Sequence, residues 1–350
     1  MKKIILTGGG TAGHVIPNLA LVPSLRAAGF DIYYIGSKKG IERELAEAAG
    51  LPYFGISSGK LRRYASLKNA TDIFRVIGGL AGAMRVIRKI KPDIIFSKGG
   101  FVVVPVIAAA KLLRVKSIIH ESDMTPGLAN KLAMPFASKV CVSFPETLKH
   151  IPNNKGVLTG SPIRPELLKG SRENGLKFVG LKADKPILLV TGGSQGSAAI
   201  NACVREALPT LLETFSVVHL CGKGNLSGIK QDGYAELEYV NEHMSDVLAM
   251  ADIVISRAGA NTLFELVALK KPNLLVPLSA KASRGDQIQN AASFAKQGLS
   301  MVLPEEEMTA DSLLTNIRKL YKNREIFAQN MKTLDITNGV KNIMDVVTQM

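Results

Sequence analysis

The segment ADIVISRAGANTLFE, residues Ala251–Glu265, reads as a strand, a turn and the start of a helix. Ile253, Val254 and Ile255 form a short apolar, β-branched run suited to a buried strand of a parallel sheet. Ala258-Gly259 breaks that strand, since glycine lets the backbone turn sharply. Asn261 or Thr262 is placed to cap the helix that follows, which carries Leu263, Leu266, Val267 and Leu269. A strand, a small-residue turn and a helix start together make an anion site, because free backbone N–H groups and the positive dipole end face the same ligand. Glu265 falls about one turn into the helix. A carboxylate there can accept hydrogen bonds from both hydroxyls of a ribose. The plainer alternative is an ordinary βα turn with Glu265 interacting with the helix dipole, and the rest of the chain weighs between the two.

Working outward, the same pattern recurs on both sides. Lys2–Thr7 reads as a strand, Gly8-Gly9-Gly10-Thr11-Ala12-Gly13-His14 as a loop and Val15–Ala28 as a helix closed by Gly29. Asp31–Ile35 is a strand and Gly40–Ala49 a helix. Asp93–Phe96, Ser117–His120, Lys139–Val142 and Gly156–Leu158 continue as short strands. Gly160-Ser161-Pro162-Ile163-Arg164-Pro165 reads as a linker. Lys185–Val190 restarts the pattern, and Ile4–His14 (IILTGGGTAGH) is like Ile187–Ser197 (ILLVTGGSQGS). Val217–Leu220, Ala235–Val240 and Asn273–Val276 supply further strands, and Ala310–Met350 is mostly helical. The expectation is α/β architecture in two doubly wound, Rossmann-like domains with parallel sheets facing a cleft. They span 1–162 and 163–335, and a terminal helix over 336–350 packs back on the first.

The 350 residues carry a net charge of +15, placed very unevenly. Residues 1–162 hold 23 Lys and Arg against 9 Asp and Glu, giving +14; the remainder holds 21 against 20, giving +1. So basic an N-terminal half implies an anionic partner: a membrane leaflet, a nucleic acid or a phosphorylated substrate. Cys141, Cys203 and Cys221 lie far apart with no CxxC, which argues against a disulfide framework or zinc site and suits a reducing compartment. Met1-Lys2-Lys3 runs straight into a strand and does not read as a secretory signal. The longest apolar run, Phe101–Ala110, is interrupted by Pro105 and is too short to span a bilayer.

Several groups carry candidate chemistry. Gly8, Gly10 and Gly13 fit the spacing GxGxxG, but no acid closes the second strand at Ile35-Gly36-Ser37, which argues against a nicotinamide cofactor. No Walker lysine follows either glycine loop. What remains is a pair of anion cradles, one per domain. His14 stands at a helix start, where the positive dipole end favours the neutral ring, able to take a proton; a purely structural histidine is the alternative. Ser194 and Gln195 stand where hydroxyl, amide and backbone can hold phosphate, or simply cap a helix. His120-Glu121-Ser122-Asp123 closes a strand at the sheet edge where doubly wound folds bind ligands, without metal-ligand spacing. Arg284–Asn290 offers amides and a carboxylate suited to sugar hydroxyls. Lys60–Lys91 interleaves basic residues (Arg62, Arg63, Arg75, Arg85, Arg88 among them) with Leu61, Tyr64, Phe74, Ile77 and Leu80. That mixture suits an anionic lipid surface better than nucleic acid, for which aromatics and motifs are lacking. A buried amphipathic helix with a basic rim accounts for part of it.

GGTAGH (Gly9–His14), Lys98-Gly99-Gly100-Phe101, HESDMTPGLANK (His120–Lys131), SPIR (Ser161–Arg164), GGSQGS (Gly192–Ser197), RAGANTLFE (Arg257–Glu265) and RGDQIQNA (Arg284–Ala291) together resemble the MurG-type glycosyltransferases, in order and over nearly the whole chain. The resemblance implies a GT-B fold. It implies inverting transfer of N-acetylglucosamine from UDP-GlcNAc to the muramyl 4-hydroxyl of lipid I, giving lipid II for peptidoglycan, with no cofactor and no bound metal. It also implies a peripheral place on the cytoplasmic membrane face, partners in cell-wall synthesis, and a part in cell shape and division. Matched by position, the nucleotide-sugar falls on Arg164, Ser194, Gln195, Val240, Ala260, Asn261, Thr262, Leu263, Phe264, Glu265 and Gln287. Thr11, Ala12 and Gly13 line the acceptor side. The base is His14, with Glu121 or Asp123 as alternatives. Ala12 stands where glycine is common, and Ser122-Asp123 where some members have Gln-Asn; an anionic Asp123 beside a diphosphate calls for a sugar or a cation to face it. Another UDP-sugar enzyme of this architecture, such as a glycolipid synthase or an epimerase, and a non-enzymatic membrane binder are the competing readings.

Overall fold

The computed structural model describes residues 2–59, 68–182, 184–193, 195–334 and 338–350, with side chains from residue 75 onward in the helix Lys68–Ile90. The chain divides into two compact units, Met1–Ile163 with Thr337–Met350, and Arg164–Ile336. In the first unit the strands are β1 (Lys2–Thr7), β2 (Phe30–Ser37), β3 (Tyr53–Ile56), β4 (Ile94–Ser97), β5 (Lys116–Glu121), β6 (Lys139–Val142) and β7 (Gly156–Leu158). They form one parallel sheet in the order β3-β2-β1-β4-β5-β6-β7. The second unit holds β8 (Ile187–Thr191), β9 (Ser216–Leu220), β10 (Tyr234–Leu237), β11 (Ile253–Ser256), β12 (Asn273–Leu275) and β13 (Met301–Val302), parallel in the order β10-β9-β8-β11-β12-β13.

The apolar strand runs follow from burial on both faces. In β1, Ile5 packs with Ile35, Ile95 and Ile119 on one side of the sheet. Ile4 and Leu6 pack with Ile32, Tyr34, Phe96 and Ile118 on the other. In β8, Leu188 and Val190 face one layer and Ile187 and Leu189 the other. Both faces must be apolar, so each strand reads as a continuous hydrophobic stretch rather than an alternating one.

Three expectations about elements need correction. The single helix over Val15–Ala28 is two, Ala12–Leu19 and Val22–Ala27. Pro23 lacks an amide proton and its ring opposes the carbonyl four residues back, so the ladder breaks there. Neither Asn261 nor Thr262 caps its helix: the cap position is Gly259 and the helix runs Ala260–Ala268. Ala12-Gly13-His14, expected to belong to the glycine loop, already form the first turn of the helix Ala12–Leu19.

The terminal helix Gly339–Thr348 belongs to the first unit, burying Ile343 and Val347 in the layer that holds Ile4, Leu25 and Ile118. Asn342 Nδ2 donates to the Thr159 carbonyl at 3.1 Å. Gly339 lies so close to the chain at Ser161 that a Cβ there would stand 2.1 Å from the Ser161 carbonyl oxygen. Backbone cannot yield as a flexible side chain does. Gly339→Ala is therefore expected to destabilise the first unit by about 1–3 kcal/mol, the usual cost of overpacking. Denaturant unfolding followed beside the wild type checks this, and an unchanged midpoint would refute it.

Candidate active site

In the first unit the strand order reverses between β1 and β4, and ligands of doubly wound sheets bind outside the carboxyl strand ends at such a point. Two glycine-bearing loops meet there. Gly9 N–H donates to the Gly99 carbonyl at 3.2 Å, and a Cβ on Gly100, which has φ +90, would stand 2.2 Å from the Gly9 carbonyl oxygen. Only glycine permits both that backbone angle and that approach. Thr11, exposed, stands at the cap position of the helix Ala12–Leu19, whose first turn carries the exposed Gly13 and the half-buried Ala12 and His14. His14 Nδ1 lies 3.1 Å from the Gly9 carbonyl and 3.2 Å from Thr11 Oγ1. A carbonyl only accepts, so the ring proton sits on Nδ1 and the lone pair on Nε2. That edge of the ring faces Gly99: a Cβ there would stand 3.5 Å from Nε2.

The GxGxxG loop does not present all its amides. Gly10 N–H donates to Glu42 Oε2 at 3.2 Å, and Glu42 Oε1 accepts from Ser37 N–H at 2.9 Å and Ser37 Oγ at 2.5 Å. Glu42 is fully buried; burial raises its carboxyl, but these hydrogen bonds outweigh it and hold it below the usual carboxylate range. A protein carboxylate thus sits where a dinucleotide loop would present an amide to pyrophosphate. The sequence reading found no acid at the end of β2. Glu42 lies five residues beyond, in the first turn of the helix Ile41–Ala48, and the chain folds it back.

At the end of β5, Glu121 is buried and holds the turn that follows. Its Oε1 accepts from Asp123 N–H at 3.0 Å; Oε2 accepts from Gly127 N–H at 2.9 Å and Asn130 Nδ2 at 2.8 Å. Burial and the neighbouring Asp123 push its carboxyl up. Asp123 and Ser122 are half-buried at the outer edge of the same turn. Next to them Lys98 is buried at the end of β4, with Nζ 2.7 Å from His120 Nδ1.

The second unit repeats the design with different anchors. A Cβ on Gly196, at φ +73, would lie 2.0 Å from the Cys221 carbonyl oxygen, so the glycine loop after β8 is pressed against the end of β9. Ser194 lies outside the described residues. Gln195 is exposed, and the helix Ala198–Thr214 is capped by Ser197, which accepts from Ile200 N–H at 3.3 Å. Arg257 ties the loops together: it donates to Ser197 Oγ at 2.7 Å and to the Val276 carbonyl at 3.1 Å, and pairs with Glu305. Gln287 Oε1 accepts from Ala258 N–H at 3.3 Å and Leu278 N–H at 3.0 Å, fixing the turn before the helix Ala260–Ala268.

On that helix Ala260, Leu263 and Phe264 are buried, Phe264 against Phe294, so they present backbone rather than side chain. Asn261 and Thr262 are half-buried. Val240 is likewise core, packed with Leu167 and Leu220. Glu265 pairs with Arg164, whose Nη2 lies 3.3 Å from Oε1. Burial raises the Glu265 carboxyl against the opposing pull of Arg164. Arg164, Glu265, the helix start and Gln287 are thus brought together within one unit. Among the described residues no three His, Cys, Asp or Glu side chains gather to hold a metal ion.

Residues 4–142 match the glycosyltransferase family 28 N-terminal domain and residues 187–347 its C-terminal domain. The chain is 57% identical over 349 residues, 99% of each chain, to a Clostridium botulinum (strain 657 / Type Ba4) UDP-N-acetylglucosamine–N-acetylmuramyl-(pentapeptide) pyrophosphoryl-undecaprenol N-acetylglucosamine transferase. The chain belongs to glycosyltransferase family 28. A Lachnospira eligens relative of the same description is 58% identical over 99% of each chain. The Acinetobacter baumannii MurG crystal structure superposes with a TM-score of 0.78 over 100% of both chains at 26% identity. The Neisseria meningitidis UDP-GlcNAc 2-epimerase, at 13% identity and TM-score 0.72, shares the fold. The paired Rossmann-like units are those of a GT-B glycosyltransferase.

One buttress of this family-28 chain was not legible in its sequence. Beneath the second glycine loop, Asn201 Nδ2 donates to the Cys221 carbonyl at 2.8 Å, and its Oδ1 lies 2.9 Å from His219 Nε2. His219 Nδ1 meets Tyr234 OH at 3.0 Å, and Tyr234 OH donates to Glu236 Oε1 at 3.0 Å. Glu236 also accepts from Arg205 at 2.6 Å and from Ser227 N–H at 2.6 Å. Burial raises the Glu236 carboxyl, but those donors outweigh it and bring it to about 2. The folded value lies below the unfolded one. The stability it contributes is present above about pH 4.5 and is lost as pH falls from there toward about 2. Glu236→Gln is expected to lower stability at pH 7 by about 1.5–3 kcal/mol and to flatten the acid limb over that window. An acid unfolding profile as steep as the wild type's would refute the assignment.

Proposed function

We propose that the chain transfers N-acetylglucosamine from UDP-GlcNAc to the muramyl 4-hydroxyl of undecaprenyl-pyrophosphoryl-MurNAc-pentapeptide, with inversion, giving lipid II. The observation that carries this reading is 57% identity over 99% of the chain to relatives bearing that activity in their names. The site chemistry supports it. The second unit binds the donor: Glu265, about one turn into its helix, accepts both ribose hydroxyls, while the helix start and Arg164 face the phosphates. The acceptor hydroxyl must lose its proton as it attacks the anomeric carbon. His14 Nε2 takes that proton, and the bond to the UDP oxygen breaks as the new one forms. Glu121, engaged by three donors, positions its turn rather than moving protons. Negative charge on departing UDP is stabilised by the helix end and Arg164.

Three measurements test this. Glu265→Ala is expected to lose most of the thermal stabilisation conferred by UDP, about 1.5–3 kcal/mol of binding; equal UDP affinity in the variant would defeat the ribose role. His14→Ala is expected to lower turnover by about 10²–10⁴-fold with donor binding retained; near-normal turnover at saturating substrates would move the base to Asp123. EDTA-treated enzyme is expected to keep its activity; a loss restored by Mg²⁺ or Mn²⁺ would overturn the leaving-group assignment.

We infer further that the first unit attaches peripherally to an anionic leaflet through the helix Lys68–Ile90. Arg75, Ile77, Arg85, Arg88 and Lys89 are exposed on it, whereas Leu80 and Met84 pack against the core and are not available to lipid. Lys60, Leu61, Arg62, Arg63 and Tyr64 lie outside the described residues, and the side chain of Phe74 is not described. Among the described residues no helix is long and apolar enough to cross a membrane. Each basic residue facing anionic lipid adds about 1 kcal/mol before screening. Arg85→Glu with Arg88→Glu is expected to abolish co-sedimentation with phosphatidylglycerol vesicles at low salt, while Arg318→Glu with Lys319→Glu in the second unit is not. Equal loss in both pairs would rule this surface out.

A further inference from the structure

Lys98 is a buried cation that the proposed chemistry does not use. It closes β4, immediately before the Gly99-Gly100 pair that faces His14, and only 2% of it is exposed. Its hydrogen bonds are directional. His120 Nε2 donates to the Gly160 carbonyl at 2.9 Å, so Nδ1 carries the lone pair and accepts from Lys98 Nζ at 2.7 Å. A second Lys98 N–H donates to Ser122 Oγ. Ser122 belongs to the turn whose far side is pinned by Glu121 and by Thr147, which donates to the Asp123 and Met124 carbonyls at 3.2 and 3.0 Å. Lys98 therefore holds the turn at Ser122, apart from the contacts that Glu121 and Thr147 make with it.

The charges explain why a cation stands there. Glu121 and Asp123 stand close together at the carboxyl edge of the sheet, on the unit that takes the acceptor under the reading above. Two carboxylates alone would repel the acceptor's pyrophosphate, and Lys98 is within electrostatic reach of both. A buried ammonium without such a duty is expensive, and a Met of similar size would fill the space. We propose that Lys98 is a positioning residue of the acceptor half of the reaction: it holds the Ser122–Asp123 turn and balances the negative charge of Glu121 and Asp123 where the acceptor's diphosphate binds. The assignment rests on the glycosyltransferase reading.

The titratable groups facing Lys98 are His120, Glu121 and Asp123 from β5 and its turn, and Cys141 from β6. Burial of the thiol pushes Cys141 up to about 12, and His120, fully buried beside the ammonium, is held well below the usual histidine range. Neither gains a charge near neutral pH. Burial brings Lys98 down to about 7 against the opposing pull of the two carboxylates. Its charge is therefore present below about pH 7 and lost above it.

The test is steady-state kinetics of wild type, Lys98→Met, Ser122→Ala and Lys98→Met/Asp123→Asn with UDP-GlcNAc and a soluble lipid I analogue, from pH 6 to 9. Lys98→Met is expected to lower kcat/KM for the acceptor about ten- to hundredfold while the UDP-GlcNAc KM stays within about twofold. The wild type's fall in acceptor kcat/KM above about pH 7 is expected to vanish in that variant. Removing the second charge in Lys98→Met/Asp123→Asn is expected to recover most of the loss, and Ser122→Ala to raise the acceptor KM alone. Far-UV circular dichroism together with denaturant unfolding beside the wild type reports whether each variant is folded. If Lys98→Met does not fold, Ser122→Ala and the wild-type pH profile decide. An unchanged acceptor KM, an equal rise in the donor KM, or an alkaline fall that persists in Lys98→Met would overturn the proposal. A wild type that transfers no sugar overturns instead the reading on which it rests, so the two failures are distinguishable.

Discussion

Close approach of backbone to backbone at the carboxyl ends of the first strands is the constraint on which both units depend. In the first, Gly100 lies against Gly9; in the second, Gly196 lies against the Cys221 carbonyl. Neither contact leaves room for a Cβ, and each sits at positive φ, so a single residue type satisfies both demands at once. The contacts lock the turn after the first strand to its neighbour. That rigidity fixes where amide N–H groups point, which a phosphate cradle requires.

The two units use the same locked turn differently. In the first, the glycine loop leans toward β4 and one of its amides is engaged by Glu42. That amide is therefore not turned toward a ligand, and the loop leads into the helix start that carries His14. In the second, the loop leans toward β9, and Arg257 connects its helix cap to the segment after β12. A single guanidinium with five donors suits that task, since it satisfies a hydroxyl, a carbonyl and a carboxylate in one plane. Buried polar groups are costly unless paired, and here the pairs sit at the glycine loops.

The membrane reading shows how burial divides a basic, apolar segment. Sequence spacing alone groups Ile77 and Leu80 together on the helix Lys68–Ile90. Packing against the layer containing Ile87 and Val106 claims Leu80 and leaves Ile77 exposed at 57%. Basic residues stay at the surface either way, because their charge is hydrated there. Spacing along the helix therefore does not by itself separate the apolar residues that pack inward from those that stay exposed.

The sequence by itself determined the architecture, since strands buried on both faces must be continuously apolar and parallel strands need helices between them; Ile4–Leu6, Ile187–Val190 and Ile253–Ile255 reveal this without tertiary information. It also marked the glycine loops, His14, Glu265 and the uneven charge, because these depend on local spacing and composition. What only the tertiary structure decided is which distant polar groups meet. Glu42 at Gly10, Lys98 at His120 and Ser122, and Arg257 at Ser197 join residues 22 to 60 positions apart. No periodicity records such a pairing, because it arises from strand order and from the cost of leaving a buried charge unpaired.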